Sequence, residues 1–162
     1  MSRRCKVLKN LQSIAPHNSS VYSAIKPAAS IYVKCKYTSD TIYDVLRFTI
    51  VCDEVKSYWP TCKSFMHLGR CKNYWSLFSC YKGFHIQVAD CVCPYEIQVH
   101  TKASEKLRNN DLHHLLYKRF QYSESETTRF YSVVLRSLIS LPIQTESFLM
   151  LLLLWQDGPP YC

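Results

Sequence analysis

Glycine is scarce in this chain, and its scarcity argues against one class of nucleotide site. Only three of the 162 residues are glycine, namely Gly69, Gly83 and Gly158. None of them stands in a GxGxxG or GxxxxGK[ST] pattern, the glycine-rich turns that cradle phosphates on the backbone. A glycine-rich phosphate loop is therefore not expected.

Acidic residues are missing from the first part of the chain. Residues 1–36 contain no Asp or Glu, and the whole chain has a net charge of +8. The basic residues of this segment are Arg3, Arg4, Lys6, Lys9, Lys26, Lys34 and Lys36. Such a segment attracts phosphate, either in a nucleotide or in nucleic acid. On charge alone, a solvated basic face is the more common explanation.

The chain also lacks the cysteine patterns of disulfide frameworks and zinc sites. Its nine cysteines are an odd number, no CxxC occurs, and the opening MSRRCKVLKN is not followed by an apolar signal segment. We therefore expect free thiols in a reducing, intracellular compartment, the cytoplasm. Cys91 and Cys93 with His100 lack the usual ligand spacing, so zinc is not expected.

No hydrophobic run is long enough to span a membrane. The longest, SFLMLLLLW at 147–155, is about half of the roughly 20 residues that a spanning helix needs. It predicts a core or interface helix and no membrane association. With 48% apolar residues and no linker, the chain is expected to form a single domain over 1–162. Within it we distinguish a basic segment (1–22), a core (23–122) and a helical, apolar segment (123–162).

The local patterns predict helices on both flanks of a sheet. Helices are expected at 5–14, from Pro27 to 37, from Pro60 to Gly69, after Thr101 and at 127–140. VLRFTIVC (45–52) is typical of a buried strand. FHIQV (84–88) and YEIQVHT (95–101) alternate with a period of two and predict an antiparallel pair. The fold class is therefore α/β or α+β, with a β-sheet flanked by helices.

One face of this strand pair is polar along its whole length. His85 and Gln87 alternate with apolar residues in the first strand, as do Glu96, Gln98 and His100 in the second. A sheet face turned to solvent would explain the alternation, and so would the floor of a binding site.

Two carboxylates and a set of basic residues could carry chemistry. Asp44, at the start of one strand, and Glu96, inside another, could share Mg²⁺ if the strands are neighbours, since Mg²⁺ prefers one or two carboxylates plus substrate phosphates. Glu96 could also accept a proton from an attacking hydroxyl. Each could instead be a lone surface acid. Phosphate could be held by Lys26, Lys34, Arg47 and Lys82, and the ring of Tyr81 could stack on a base.

Four segments in order resemble the synthetase domain of the RelA/SpoT family of alarmone synthetases, above all a short, divergent branch. KPAASIYVK (26–34) is similar to the family's Lys-x-x-x-Ser-Ile-x-x-Lys segment. IYDVLRFTIV (42–51) resembles the strand that follows its magnesium-binding aspartate, and YKGFH (81–85) resembles its Tyr-Arg-Ser-x-His segment. YEIQVHT (95–101) is similar to its Glu-x-Gln-x-Arg-Thr strand.

The resemblance implies a nucleotidyltransferase-like fold with a mixed β-sheet and a pyrophosphokinase. ATP would donate its β,γ-pyrophosphate to the ribose 3′-hydroxyl of a guanosine nucleotide, with Mg²⁺ as the cofactor. The implied roles are catalysis and metal binding for Asp44 and Glu96, and ATP-phosphate binding for Lys26, Lys34 and Arg47. The implied acceptor-binding residues are Tyr81, Lys82, His85, Gln98 and His100.

The sequence departs from the family pattern at three positions that are usually arginine, where it has Ala24, Thr49 and His100. These departures leave two alternatives open. Some short members of the family modify the 3′ end of tRNA, and the basic segment 1–36 would suit an RNA acceptor. Alternatively, the site has lost catalysis and the chain is a nucleotide-binding or protein-interaction module.

Overall fold

A computed structural model describes residues 2–37, 41–75 and 81–109 of the chain. Four helices and five strands lie in these ranges, with a short 3-10 turn at Tyr43–Val45. The helices are α1 (Arg3–Ile14), α2 (Ala28–Tyr37), α3 (Val55–Met66) and α4 (Lys102–Arg108). The strands are β1 (Ser19–Ile25), β2 (Leu46–Cys52), β3 (Arg70–Asn73), β4 (Phe84–Val88) and β5 (Tyr95–Thr101). They form one sheet in the order β1-β2-β5-β4-β3.

The sheet is mixed, as predicted. β2 and β5 run parallel at its centre, and every other neighbouring pair is antiparallel. β2 and β5 are almost wholly buried, which agrees with their β-branched and aromatic sequences, since such side chains pack well on a pleated surface. The predicted antiparallel pairing of 84–88 with 95–101 is confirmed, with Ile86 opposite Ile97.

One face of the sheet carries the hydrophobic core. Phe48, Ile50, Phe84, Ile86 and Ile97 have no exposed surface. The helices α1 and α3 contribute the residues that pack with them, among them Val7, Leu11, Tyr58, Trp59 and Phe65. The apolar residues that alternate along β4 and β5 thus lie in the core, and the polar ones lie on the opposite face.

α3 begins five residues before the predicted start, and the prediction that it runs from Pro60 to Gly69 was wrong. It covers Val55–Met66, with Pro60 inside it. Proline favours the first turn because its nitrogen has no hydrogen to donate. Here Tyr58 and Trp59 are buried in the core, and their burial favours a helix that extends past the missing hydrogen bond.

The structure adds two strands that the sequence patterns did not predict, β1 and β3. The sheet order places them at the two edges. Much of β1 is exposed, and β3 is a four-residue strand with no buried residue. The helices predicted at 5–14 and from Pro27 to 37 are observed at Arg3–Ile14 and Ala28–Tyr37.

Several predictions concern residues outside the described ranges. These are the helix at 127–140, the apolar run 147–155, the segment 123–162 and any continuation of α4 beyond residue 109. Within the described ranges, no helix is long and apolar enough to cross a membrane.

Candidate functional site

The polar face of the sheet is a continuous surface across the strands. Arg47 in β2 pairs with Glu96 in β5, which in turn pairs with Gln87 in β4. One step further along, Thr49 pairs with Gln98, and Gln98 pairs with His85. The central residues of this face are buried, with exposed fractions of 2–8% for Thr49, Glu96, Gln98 and His85. A merely solvent-facing sheet is therefore excluded for its centre.

Two lysines converge on one aspartate at the start of β2. The Lys26 Nζ lies 2.5 Å from Asp44 Oδ2, and the Lys34 Nζ lies 2.9 Å from Asp44 Oδ1. Both oxygens of the carboxylate are thus engaged by ammonium groups. Burial acts to raise the pKa of Asp44, but the hydrogen bonds and charges of the two lysines outweigh it and leave that pKa below its ordinary value.

Backbone pairing explains why these residues meet. β1 pairs with β2 as far as Ile25 opposite Leu46. One residue further, the Lys26 amide donates to the Val45 carbonyl at 2.8 Å, which brings Lys26 beside the turn that carries Asp44. α2 then begins at Ala28, directly after Pro27, and Lys34 reaches Asp44 from this helix.

Glu96 is held in place by two neighbours on the same face. Its Oε1 accepts a hydrogen bond from the Gln98 amide at 2.6 Å, and the same oxygen lies 3.4 Å from His85 Nδ1. Burial acts to raise the pKa of Glu96, but His85 and Gln98 leave it lower than usual. Glu96 is therefore a buried carboxylate that stays ionised at neutral pH.

Arg47 lies beside Glu96 with part of its bonding capacity unused. Its Nε is buried and has no hydrogen-bond partner within the described part of the chain. Buried polar nitrogens normally have a partner, so this guanidinium fits a site whose ligand supplies the missing acceptor.

A cluster of rings lies on the β4 side of the face. The Tyr81 hydroxyl lies 2.7 Å from His85 Nε2 and 3.2 Å from His100 Nε2. His100 has no exposed surface, and Lys82 is 1% exposed. Four of the five residues predicted to bind the acceptor thus lie on this face, namely Tyr81, His85, Gln98 and His100. The fifth, Lys82, follows Tyr81 in the chain and is buried, as are His85, Gln98 and His100.

The sequence did not point to four residues that complete this face. Arg108 in α4 donates to Gln98 Oε1 at 2.9 Å and to the Tyr22 hydroxyl at 2.9 Å. It also donates to Glu105 Oε1 at 2.6 Å, and Ser104 contacts His100. Burial and the hydrogen bond to Glu105 raise the pKa of Tyr22 to about 12. The Glu105–Arg108 spacing predicts only an ion pair within the helix, and no local signal shows that Arg108 reaches two strands.

The donor atoms suit a hard cation bound jointly with a substrate. Within the described ranges, no group of three or more His, Cys, Asp or Glu side chains is arranged to hold a metal. Asp44 lies in the turn just before β2, and Glu96 lies in β5, the parallel neighbour of β2. Two carboxylates fit Mg²⁺ if substrate phosphates supply further oxygens.

Comparisons with known proteins find similarity in structure only. No family model and no curated protein matches the sequence. Small alarmone synthetase 1 from Bacillus subtilis, bound to its product pppGpp, superposes with a TM-score of 0.60 at 15% identity, covering 89% of each chain. A GTP pyrophosphokinase family protein from Streptococcus pneumoniae gives a TM-score of 0.63 at 14% identity, covering 95% of this chain and 88% of that one.

A third similar structure belongs to a complex of the Type VI effector Tas1 with its immunity protein. Its TM-score is 0.63 at 14% identity, covering 88% of this chain and 91% of that one. In all three cases the similarity extends over most of both chains. The mixed five-stranded sheet with its helices is therefore the fold of the small alarmone synthetases.

Proposed function

We propose that this chain is a pyrophosphokinase that transfers the β,γ-pyrophosphate of ATP to the ribose 3′-hydroxyl of a guanosine nucleotide. The observation that carries the proposal is the convergence of Lys26 and Lys34 on Asp44, next to the strand that bears Glu96. Lysines, a carboxylate at the entry to β2 and a buried glutamate are the groups that phosphoryl-type transfer needs for positioning and charge stabilisation.

The lysines are the proposed ligands of the ATP phosphates. In the structure their ammonium groups neutralise Asp44. A polyphosphate offers a larger negative charge, so we expect the ammonium groups to turn toward it when ATP binds. Arg47, whose buried Nε lacks a partner among the described residues, would donate to the same phosphates.

Asp44 and Glu96 are the proposed ligands of Mg²⁺. The ion would neutralise charge on the transferring group. Glu96 is also the proposed base, because it is ionised, buried and fixed by Gln98 and His85. A base held in one orientation can accept the proton of the attacking hydroxyl without reorganisation.

The guanosine acceptor would bind over the cluster of rings. Tyr81 is proposed to stack on the base, and Lys82 and His85 are proposed to lie near its phosphates. A synthetase of similar fold that is bound to pppGpp supports the choice of a guanosine nucleotide.

Transfer of label from ATP tests the proposal. The purified chain is incubated with ATP labelled in its terminal phosphates, Mg²⁺, and GDP, GTP, ADP or tRNA. We expect label on GDP or GTP with the wild-type chain and none with Asp44→Asn or Glu96→Gln. The matched control is Glu54→Gln, which changes a carboxylate that is 49% exposed and ion-paired with Lys56, and it should keep full activity.

An RNA acceptor is the second candidate, and the exposed basic residues of α1 favour it. Arg3, Arg4, Lys6 and Lys9 are all exposed, but α1 packs on the core face of the sheet. An RNA that contacts α1 and also reaches the proposed site on the polar face would have to extend around the sheet. Its binding should weaken steeply as the salt concentration rises, so label on tRNA that disappears at high salt would favour this acceptor.

A site without catalysis is the third candidate. If ATP and GDP bind but no label moves to any acceptor, the chain is a nucleotide-binding module. Equal transfer by the wild-type, Asp44→Asn and Glu96→Gln proteins would refute the proposed roles of both carboxylates.

A further inference from the structure

We infer that His100 is a positioning residue that holds the Tyr81 ring in the acceptor site through a buried hydrogen-bond chain anchored on α4. The inference rests on the proposed function, because it assigns to Tyr81 the acceptor side of that site. In this role His100 does not contact the nucleotide but holds the residue that does.

A series of polar contacts runs from the first turn of α4 to Glu96, as hydrogen bonds as far as His85 and as a 3.4 Å contact from there to the carboxylate. Ser104 Oγ lies 3.0 Å from His100 Nδ1, and His100 Nε2 lies 3.2 Å from the Tyr81 hydroxyl. That hydroxyl lies 2.7 Å from His85 Nε2, and His85 Nδ1 lies 3.4 Å from Glu96 Oε1. Tyr81 and Glu96, two side chains that the proposed function uses, are therefore joined through His85, and His100 joins Tyr81 to Ser104.

The anchor of this chain is rigid. Thr101 and Ser104 form a capping box at the start of α4, each side chain bonding the backbone of the other residue. The Ser104 hydroxyl that contacts His100 is thus already fixed by the Thr101 amide, which donates to it at 3.0 Å. His100 directly precedes this cap, so the helix determines where its ring lies.

The Tyr81 hydroxyl can form hydrogen bonds with both imidazoles only if one ring accepts and the other donates. It has a single hydrogen, so it donates to one ring nitrogen and accepts from the other. A neutral imidazole can take either part. Burial, together with the neighbouring Arg108 and His85 side chains, lowers the pKa of His100 well below its ordinary value, which agrees with a neutral ring.

The ring of Tyr81 also packs against three other rings. Its plane is nearly perpendicular to those of Tyr74, His85 and His100, with ring centroids 5.4 to 5.8 Å apart. Gly83 leaves the space for His100, because a Cβ there would lie 2.8 Å from its Cε1. A guanidinium is longer than imidazole and always charged, so histidine suits this enclosed position.

His100 is sealed from solvent, with 0% of its surface exposed. It therefore acts on a nucleotide through Tyr81. The effect of changing His100 should then depend on the Tyr81 hydroxyl, and a double-mutant cycle measures that dependence.

The cycle uses the full chain with His100→Leu, Tyr81→Phe and the double variant. His100→Gln is the conservative variant, because its amide can still bond the hydroxyl. We expect His100→Leu to raise the KM for GDP about threefold to tenfold, the range of one lost hydrogen bond, with the KM for ATP unchanged. His100→Gln should restore most of the loss, and in the Tyr81→Phe background His100→Leu should add less than about twofold.

Ile97→Val is the packing control. Ile97 is also fully buried in β5 but lies on the core face, so this change should lower stability and leave both KM values unaltered. Equal effects of His100→Leu with and without the Tyr81 hydroxyl overturn the inference. A rise in the KM for ATP equal to that for GDP overturns it as well.

Two measurements that need no transfer separate this inference from the proposed function. Calorimetric titration with GDP should show the same coupling between His100 and Tyr81, because it requires no reaction. If this coupling is found but no label is transferred, the proposed reaction is refuted and the positioning role is not. In ¹⁵N NMR spectra, the resonances of the His100 ring nitrogens should shift when Tyr81→Phe removes the hydroxyl. This variant nearly keeps the volume of the side chain, so the test remains possible if His100→Leu does not fold. Unchanged His100 signals overturn the inference, whatever the activity.

Discussion

At the scale of single residues, the site consists of charged groups that hold one another in place. Lys26 and Lys34 each bond a different oxygen of Asp44, and Arg108 bonds Gln98, which bonds Glu96. Gln98 and Glu96, which are fixed before substrate binds, need little reorganisation during the reaction, whereas the two lysines are expected to exchange Asp44 for phosphate when ATP binds. The contributions of individual side chains can therefore be tested one at a time.

Lys34→Met should weaken ATP binding selectively. The change removes one of the two ammonium groups at Asp44 and keeps the length of the side chain. We expect the KM for ATP to rise about tenfold, the cost of a charged hydrogen bond, with little effect on GDP. Lys36→Met is the matched control in the same helix, since Lys36 lies over the Tyr32 ring at 4.8 Å. Equal losses in the two variants would contradict a specific role for Lys34.

Arg108→Ala should lower kcat more than it raises either KM. Without Arg108, the Gln98 amide loses the donor that orients its oxygen, and Glu96 loses a fixed partner. We expect kcat to fall about tenfold, the cost of a charged hydrogen bond at a buried site.

The control for Arg108 is Lys106→Ala, an exposed position in the same helix. It should have no effect on steady-state kinetics. Arg108→Lys should recover only part of the rate, because one ammonium cannot replace a fork that contacts three side chains. Full activity of Arg108→Ala would show that Gln98 needs no support from α4.

The residues of the site differ in how far the sequence predicted them. The structure brings Lys26, Lys34 and Asp44 together, and their roles toward ATP and Mg²⁺ stay predictions from the resemblance. Arg108 could not be predicted, because its contacts with Gln98 and Tyr22 arise from the placement of α4 across β5 and β1. The closure of Tyr81 and His100 into one chain likewise depends on tertiary contacts.

At the scale of secondary structure, burial decides which elements the sequence predicts. The central strands β2, β4 and β5 were predicted to within one residue, because their buried apolar side chains recur with a period of two or in a continuous run. β1 and β3 are edge strands with many exposed or half-buried residues, so their sequences carry no such pattern. Edge strands depend on pairing with a neighbour, and the pairing partner is not visible in a local sequence.

The connection between α3 and β3 should tolerate no side chain at Gly69. A Cβ at this position would lie 2.2 Å from the Gln87 carbonyl oxygen, a backbone atom that cannot turn aside. We expect Gly69→Ala to lower the free energy of unfolding by about 1 to 3 kcal/mol, as overpacking usually does. Urea denaturation measures the change, and Ser64→Ala at an exposed position of α3 should stay within about 0.5 kcal/mol of the wild type. A fully stable Gly69→Ala protein would mean that β4 can shift without cost.

At the scale of the whole molecule, both faces of the sheet are buried near its centre, but one face is apolar and the other is polar. One face is filled by apolar side chains from α1 and α3. The other holds Glu96, Gln98 and His100, each hydrogen-bonded to a neighbour. Buried polar groups cost free energy unless they are paired, so this face adds less to stability than the apolar face, and it holds the groups that the proposed function uses.

The burial of His100 should make the stability of the whole molecule depend on pH. His100 has a folded pKa well below its ordinary value, whereas in the unfolded chain the value is about 6.5. Between these two values the unfolded state binds a proton that the folded state excludes. Stability is therefore highest above about pH 6.5 and falls as the pH drops below it, with a slope approaching about 1.4 kcal/mol per pH unit.

Urea denaturation between pH 5 and pH 7.5 would measure this slope, and two histidine variants would assign it. His100→Gln removes the group that titrates, so its free energy of unfolding should depend less steeply on pH than that of the wild type. His67→Gln changes an exposed histidine at the end of α3 and should leave the slope as it is. Equal slopes in the wild-type and His100→Gln proteins would show that a proton reaches His100 in the folded state, which is incompatible with a neutral ring sealed beneath Tyr81.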